Sequence, residues 1–261
     1  MPSQTNEQAL EALIEKALTG SSREERKARD AIGEWQPIYG PGAGHGYEAG
    51  HPQDFDRAFA IDREKFWRFL QSTQPAELHK LRDRPNWERL LLERLDRSIK
   101  REGILKVLKR GLDIDDAHFT LYYSLPFNDL NPEIAARFGR NTFSVSRKVH
   151  YSQADPTLSI DMVLFVNGLA LATFELKNAW TGQTTFHACR QYEQRSVQET
   201  LLRFGRCVVH FAVDTDDVFM ATQLAGKNTD FLPFNQGWNY GKGNPPNPFG
   251  HKTAYLWEEV L

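Results

Sequence analysis

The sequence predicts an α/β fold: a central mixed β-sheet of about five strands flanked by helices, behind a helical N-terminal portion. Three observations carry that expectation. Apolar residues recur at helical spacing through roughly the first 112 residues. From residue 117 the chain breaks into short β-rich runs. One helical stretch, 184–204, falls between the third and fourth stages of that strand series. Strands enclosing a helix place helices on the faces of a sheet.

The first helix follows a Thr5-x-x-Gln8 capping pattern and carries Leu10, Leu13, Ile14, Ala17 and Leu18 on its apolar face. A second, charged helix over 21–30 has Ser22-x-x-Glu25 as its capping candidate. Residues 40–52, "GPGAGHGYEAGHP", are too glycine-rich for regular structure and predict a loop. It is no phosphate loop, because Tyr47 follows its last closely spaced glycine where a Lys-Ser/Thr pair is needed. Residues 54–80 read as helical on Phe55, Phe59, Phe66, Trp67 and Leu70. Residues 86–110 read as one long amphipathic helix, its basic end a solvated face or a phosphate contact.

The predicted strands are 118–125, 141–151, the two halves of 159–177, 206–214 and 218–222. Within "SIDMVLFVNGLALATFELK" (159–177), Asn167-Gly168 signals a hairpin. Three charges lie in this otherwise apolar pair: Asp161, Glu175 and Lys177. Burying them is costly unless they pair or bind a metal. A plain two-residue turn pairs Val166 with Leu169 and turns Asp161 away from Glu175 and Lys177. A one-residue shift, with Phe165 opposite Leu169 and Asp161 opposite Thr173, puts all three on one face. If the charges form one site, the hairpin must therefore contain a bulged turn or an equivalent irregularity. Two carboxylates so placed suit a hard divalent cation such as Mg²⁺, and an adjacent lysine suits the positioning of an attacking water. A buried ion pair within the sheet is the alternative reading.

Composition narrows the classes. The 261 residues carry a net charge of −2, so any nucleic-acid contact comes from local patches rather than a global basic field. Two cysteines, Cys189 and Cys207, make neither a disulfide framework nor a zinc site and fit a reducing cytoplasm. No apolar run approaches the roughly 20 residues of a membrane span. None of the eight histidines has a partner at zinc-ligand spacing.

Asp161, thirteen residues, then Glu175-Leu176-Lys177-Asn178 resembles the core of the PD-(D/E)xK nucleases. The longer block "SIDMVLFVNGLALATFELKN", with "TGQTT", "NEQALEALIEKAL", "GHPQDFDRAFAID", "TDFLPFNQG" and the closing "GNPPNP…AYLWEEVL", resembles the N-terminal nuclease domain of the restriction subunit of type I restriction-modification enzymes. The resemblance implies the restriction-endonuclease-like fold and Mg²⁺-dependent phosphodiester hydrolysis in double-stranded DNA. It implies that Asp161, Glu175 and the Leu176 carbonyl hold the metal and that Lys177 orients water. It further implies modification and specificity subunits as partners, and ATP used only by a translocase that these residues do not contain. Two positions depart from the pattern. Ile160 stands where the family name has proline, and Gln191 is followed four residues later by Arg195 rather than tyrosine. Gln191, Arg195, Arg147 and Lys148 are supporting or DNA-contacting candidates, and Glu11 or Glu15 a candidate further metal ligand. The expected organisation is an endonuclease domain over 1–225, divided near 112 into helical part and core, with 226–261 a linker to the translocase.

Overall fold

The computed structural model describes residues 7–31, 45–127, 131–178 and 182–261. Thr5 of the first capping pattern, residues 40–44 of the glycine-rich loop, and Trp180 and Thr181 lie outside them.

Two helices open the fold, α1 (Glu7–Thr19) and α2 (Arg23–Ala31). The capping box of α2 closes reciprocally: Glu25 N donates to Ser22 Oγ at 3.2 Å and Ser22 N to Glu25 Oε2 at 3.0 Å. Two-residue strands β1 (Glu48–Ala49), β2 (Phe55–Asp56) and β3 (Ile61–Asp62) follow. Then come α3 (Arg63–Thr73), α4 (Pro75–Arg82), α5 (Trp87–Glu102) and α6 (Ile104–Arg110).

The helix expected over 54–80 therefore starts only at residue 63, where Asp62 Oδ1 caps Lys65 N at 3.0 Å, and it breaks ahead of Pro75. The long helix expected over 86–110 is two helices. Gly103, at φ +78°, ends the first, and Ile104 N turns to the Gly205 carbonyl at 2.7 Å. A small hairpin of β4 (Leu112–Ile114) and β5 (Ala117–Phe119) forms its own sheet, so the strand expected over 118–125 is short and outside the main one.

After α7 (Pro132–Phe138) come the longer strands of the main sheet, β6 (Phe143–His150), β7 (Ser159–Val166), β8 (Leu169–Leu176), β9 (Val209–Val213) and β10 (Val218–Ala221), with β1 paired to β6 and the β2–β3 pair joined to β8. β6, β7 and β8 pair antiparallel, β8 and β9 parallel, and β9 and β10 antiparallel. The result is the mixed sheet flanked by helices of a restriction-endonuclease-like fold. The parallel step requires a crossover, supplied by α8 (Thr185–Gln194) and a 3₁₀ turn at Thr200–Leu202. That crossover was expected to be one helix over 184–204, but Arg195 is extended, at ψ 144°, and ends α8.

Alternation along β7 divides two cores. Met162 and Leu164 pack with Leu10, Ile14 and Leu18 of α1. Val163 and Phe165 pack with Tyr192 of α8 and with Leu201 and Leu202. A third core joins α3 to α6 and receives the hairpin tip through Val166 and Leu169.

Residues 226–261, expected as a linker, are packed at both ends. β11 (Leu232–Pro233) extends the sheet beside β10. Ala254, Tyr255, Leu256 and Trp257 are buried in the core that α1 covers. The apolar closing segment completes that core, and the surrounding proline and glycine shape the loop that brings it there. Among the described residues no helix is long and apolar enough to cross a membrane.

Candidate active site

The hairpin turn is the plain two-residue one. Asn167 (φ +51°) and Gly168 (φ +77°) both adopt the left-handed conformation, and Val166 pairs with Leu169. A Cβ on Gly168 would stand 2.5 Å from both the Asp62 carbonyl oxygen and Phe66 N. Asn167 donates to the Leu121 carbonyl at 2.9 Å and accepts from Thr142 N at 2.7 Å. A tip clamped on both sides leaves no room for an extra residue.

The irregularity sits instead inside β8. Phe165 pairs with Ala170 while Leu164 pairs with Ala172, so Leu171 is the extra residue. Of the bulged turn or equivalent irregularity expected, the structure has the irregularity, as a bulge within β8, and the Met162–Phe174 pair sets Asp161 beside Glu175 rather than Thr173. The consequence for the charges is the required one: Asp161 and Glu175 share a face, at the end of the sheet where β7 begins and β8 finishes.

Around them the charges are densely paired. Asp161 divides its oxygens, Oδ2 accepting from Leu176 N at 2.8 Å and Oδ1 from Lys148 Nζ at 2.6 Å. Lys148 also lies 2.7 Å from Glu11 Oε1. Glu175, fully buried, accepts from Arg195 Nη2 on Oε1, while Oε2 has no hydrogen-bond partner among the described residues. Lys177 Nζ donates to Glu7 Oε1 at 3.0 Å. Burial, reinforced by the neighbouring Asp161, pushes the Glu175 carboxyl well above the usual carboxylate range despite Arg195. Burial raises Glu11 as well, opposed by Lys148 and Arg147. Burial pulls the Lys148 ammonium down, but Asp161 and Glu11 together outweigh it and hold it above its ordinary value.

Helix α1 supplies the third side of the site. Glu7, Glu11 and Glu15 recur at the four-residue spacing that places them on one face, and each meets a cation of the sheet. Glu11 receives Arg147 Nε at 3.1 Å and Glu15 receives Arg147 Nη1 at 2.9 Å. Of the two upstream acids weighed from the sequence, Glu11 reaches Lys148 beside Asp161, whereas Glu15 is taken up by Arg147 and Arg26. Glu7 was not anticipated. Its signal was the same spacing, each glutamate lying three residues before an apolar anchor: Leu10, Ile14, Leu18.

Arg147 is buried among Glu11, Glu15 and Glu24, at the wall of a cavity that Arg23, Arg26 and Lys27 also line. Gln191 lies half-buried on α8 and has no side-chain hydrogen bond to Asp161, Glu175 or Lys177 among the described residues. Arg195, which stands where the related motif has tyrosine, is the residue that reaches Glu175. The same guanidinium bonds Tyr151 Oη at 2.8 Å and the Ser159 carbonyl at 2.7 Å. His187 serves as the reciprocal cap of α8 with Thr184.

The donor chemistry fits a hard divalent cation: carboxylates of Asp161, Glu175 and Glu11, with the Leu176 carbonyl adjacent. The orphaned Glu175 Oε2 is the observation that fits best, since a buried carboxylate oxygen without a partner is costly and a cation would satisfy it. As the side chains stand, no three His, Cys, Asp or Glu among the described residues converge on one metal position. The carboxylates are instead turned toward Lys148 and Arg195.

The family model described as "Type I restriction enzyme R protein N terminus" matches residues 62–229. That span contains Lys148, Asp161, Glu175, Lys177 and Arg195, and it begins after α1. No curated protein matches the chain.

Proposed function

The chain belongs to the family of type I restriction enzyme R protein N termini, and from that premise we propose that it is a Mg²⁺-dependent endonuclease domain hydrolysing phosphodiester bonds of double-stranded DNA. The observation that carries this reading is the bulge at Leu171, which brings Asp161 beside Glu175, one buried oxygen of Glu175 having no partner among the described residues. A bulge is retained where a side chain must be re-aimed. Here it sets two carboxylates side by side on one face of the sheet.

In this reading Asp161, Glu175 and the Leu176 carbonyl hold the metal, with Glu11 approaching from α1. The bound cation would supply a water of lowered pKa and charge stabilisation at the attacked phosphate. Lys177, held at the edge by Glu7, orients the water, which adds to phosphorus as one P–O ester bond breaks. No bond to the protein forms. Arg195 fixes the rotamer of Glu175, so its second oxygen keeps its direction. The partners are double-stranded DNA and the modification and specificity subunits of a type I complex, with ATP consumed by a translocase elsewhere in the full subunit.

A second reading is a docking or DNA-binding module in which these charges are structural. One observation favours it: both oxygens of Asp161 and one of Glu175 already have protein partners. Calorimetric titration with Mn²⁺ separates the two. The nuclease reading expects binding by the wild type, loss in Asp161→Ala and Glu175→Ala, and retention in Lys177→Ala, which nonetheless abolishes DNA cleavage in the assembled complex. Binding that is unchanged in both carboxylate variants overturns it.

A further inference from the structure

We propose that Lys148 is an internal counter-ion that occupies the cation position between Asp161 and Glu11, and that a divalent metal binds by displacing it. The proposal rests on the metal-dependent reading above and adds a residue and an order of events to it. The ammonium lies 2.6 Å from Asp161 Oδ1 and 2.7 Å from Glu11 Oε1, which is the bridging place a hard cation between those two carboxylates would take. A metal and the ammonium cannot both use Asp161 Oδ1, and like charges at that range repel. Lys177 is not the competitor, because Glu7 holds it.

The backbone singles out the same residue. Lys148 has φ +53°, rare for a residue with a side chain and found within β6. Arg147 pairs with Met162 and Val149 with Ile160 in unbroken register, so Lys148 alone leaves the ladder opposite Asp161. Such a conformation persists where surrounding contacts over-determine it, and here those contacts are the two carboxylates. Its neighbours remain paired, so Lys148 can move without unzipping the strand. Its side chain is 38% exposed, in contrast to 6% for Arg147, which gives the ammonium a way out to solvent.

The test uses the wild-type chain first. Reductive methylation read by mass spectrometry reports the accessibility of each lysine amine, with and without Mg²⁺. Displacement expects Lys148 to be protected without metal and severalfold more reactive with it. Calorimetry then compares Mn²⁺ binding by the wild type and by Lys148→Met. With the ammonium gone, the variant should bind roughly tenfold more tightly, within the ordinary range for coupled binding. Should Lys148→Met fail to fold, the wild-type labelling decides alone. If the wild type binds Mn²⁺ through Asp161 while Lys148 labelling stays unchanged, displacement is overturned and the metal site stands. Should neither wild type nor Lys148→Met bind Mn²⁺, both the displacement and the metal reading fall.

Discussion

Arg195, the first residue past α8, donates to Glu175 on β8 at a point where both side chains are buried. The pair joins the crossover connection to the strand that carries the candidate ligands. Removing one partner of a buried ion pair leaves the other charge uncompensated, at a cost of about 3–5 kcal/mol. Arg195→Leu is therefore expected to lower stability toward urea by that amount. Adding Glu175→Gln, which removes the stranded charge, should recover most of the loss. If the double variant is as unstable as the single one, the guanidinium acts through packing on Tyr151 instead, over whose ring it also sits.

The hairpin tip makes a separate, steric prediction. Gly168→Ala places a methyl 2.5 Å from backbone atoms of Asp62 and Phe66 and forces alanine to φ +77°. The left-handed conformation and the clash together should cost at least about 2 kcal/mol. Gly237 has a similar φ of +86°, but a methyl added there meets nothing within 4 Å, so Gly237→Ala isolates the conformational part. Thermal melting should show the first substitution to be clearly the more damaging. Equal losses would mean the tip yields.

His210 supplies a pH dependence. It is buried on β9, in a 2.7 Å hydrogen bond between Nδ1 and Thr173 Oγ1, and burial pushes its imidazole down to about 4. Between that value and the 6.5 of the free group, the unfolded chain takes up a proton that the folded chain refuses. The contribution is thus complete above pH 6.5 and is lost as the pH falls toward 4, by about 3 kcal/mol in all. Stability measured against urea at pH 7 and pH 5 should fall more steeply for the wild type than for His210→Gln. Parallel curves would show that His210 is not the titrating group.

The closing segment should be indispensable to the fold. Trp257 is 1% exposed and packs into the core beneath α1. Trp257→Ala is expected to cost about 3–5 kcal/mol in urea unfolding. Phe249→Ala, on a side chain that is 97% exposed, should change stability by less than about 0.5 kcal/mol. A mild Trp257→Ala would mean that residues 254–257 dock loosely, as a linker does.

What the sequence by itself determined is local in character. Asn167-Gly168 specified the turn, because few other residue pairs accept two successive left-handed conformations, and apolar alternation marked the strands on either side. The three charges Asp161, Glu175 and Lys177 stood out because buried charge is expensive wherever it occurs. The sequence also required some irregularity between them, since side chains alternate strictly along a strand. Tertiary structure decided where that irregularity lies: α3, the Leu121 carbonyl and Thr142 N clamp the tip, and the extra residue moved to Leu171. It also decided which cations meet which acids. Arg147 and Glu11 are 136 positions apart, and Lys177 and Glu7 are 170 apart. No periodicity links residues at such distances. Only the packing of α1 against the sheet, driven by Leu10, Ile14 and Leu18, delivers those glutamates to the site.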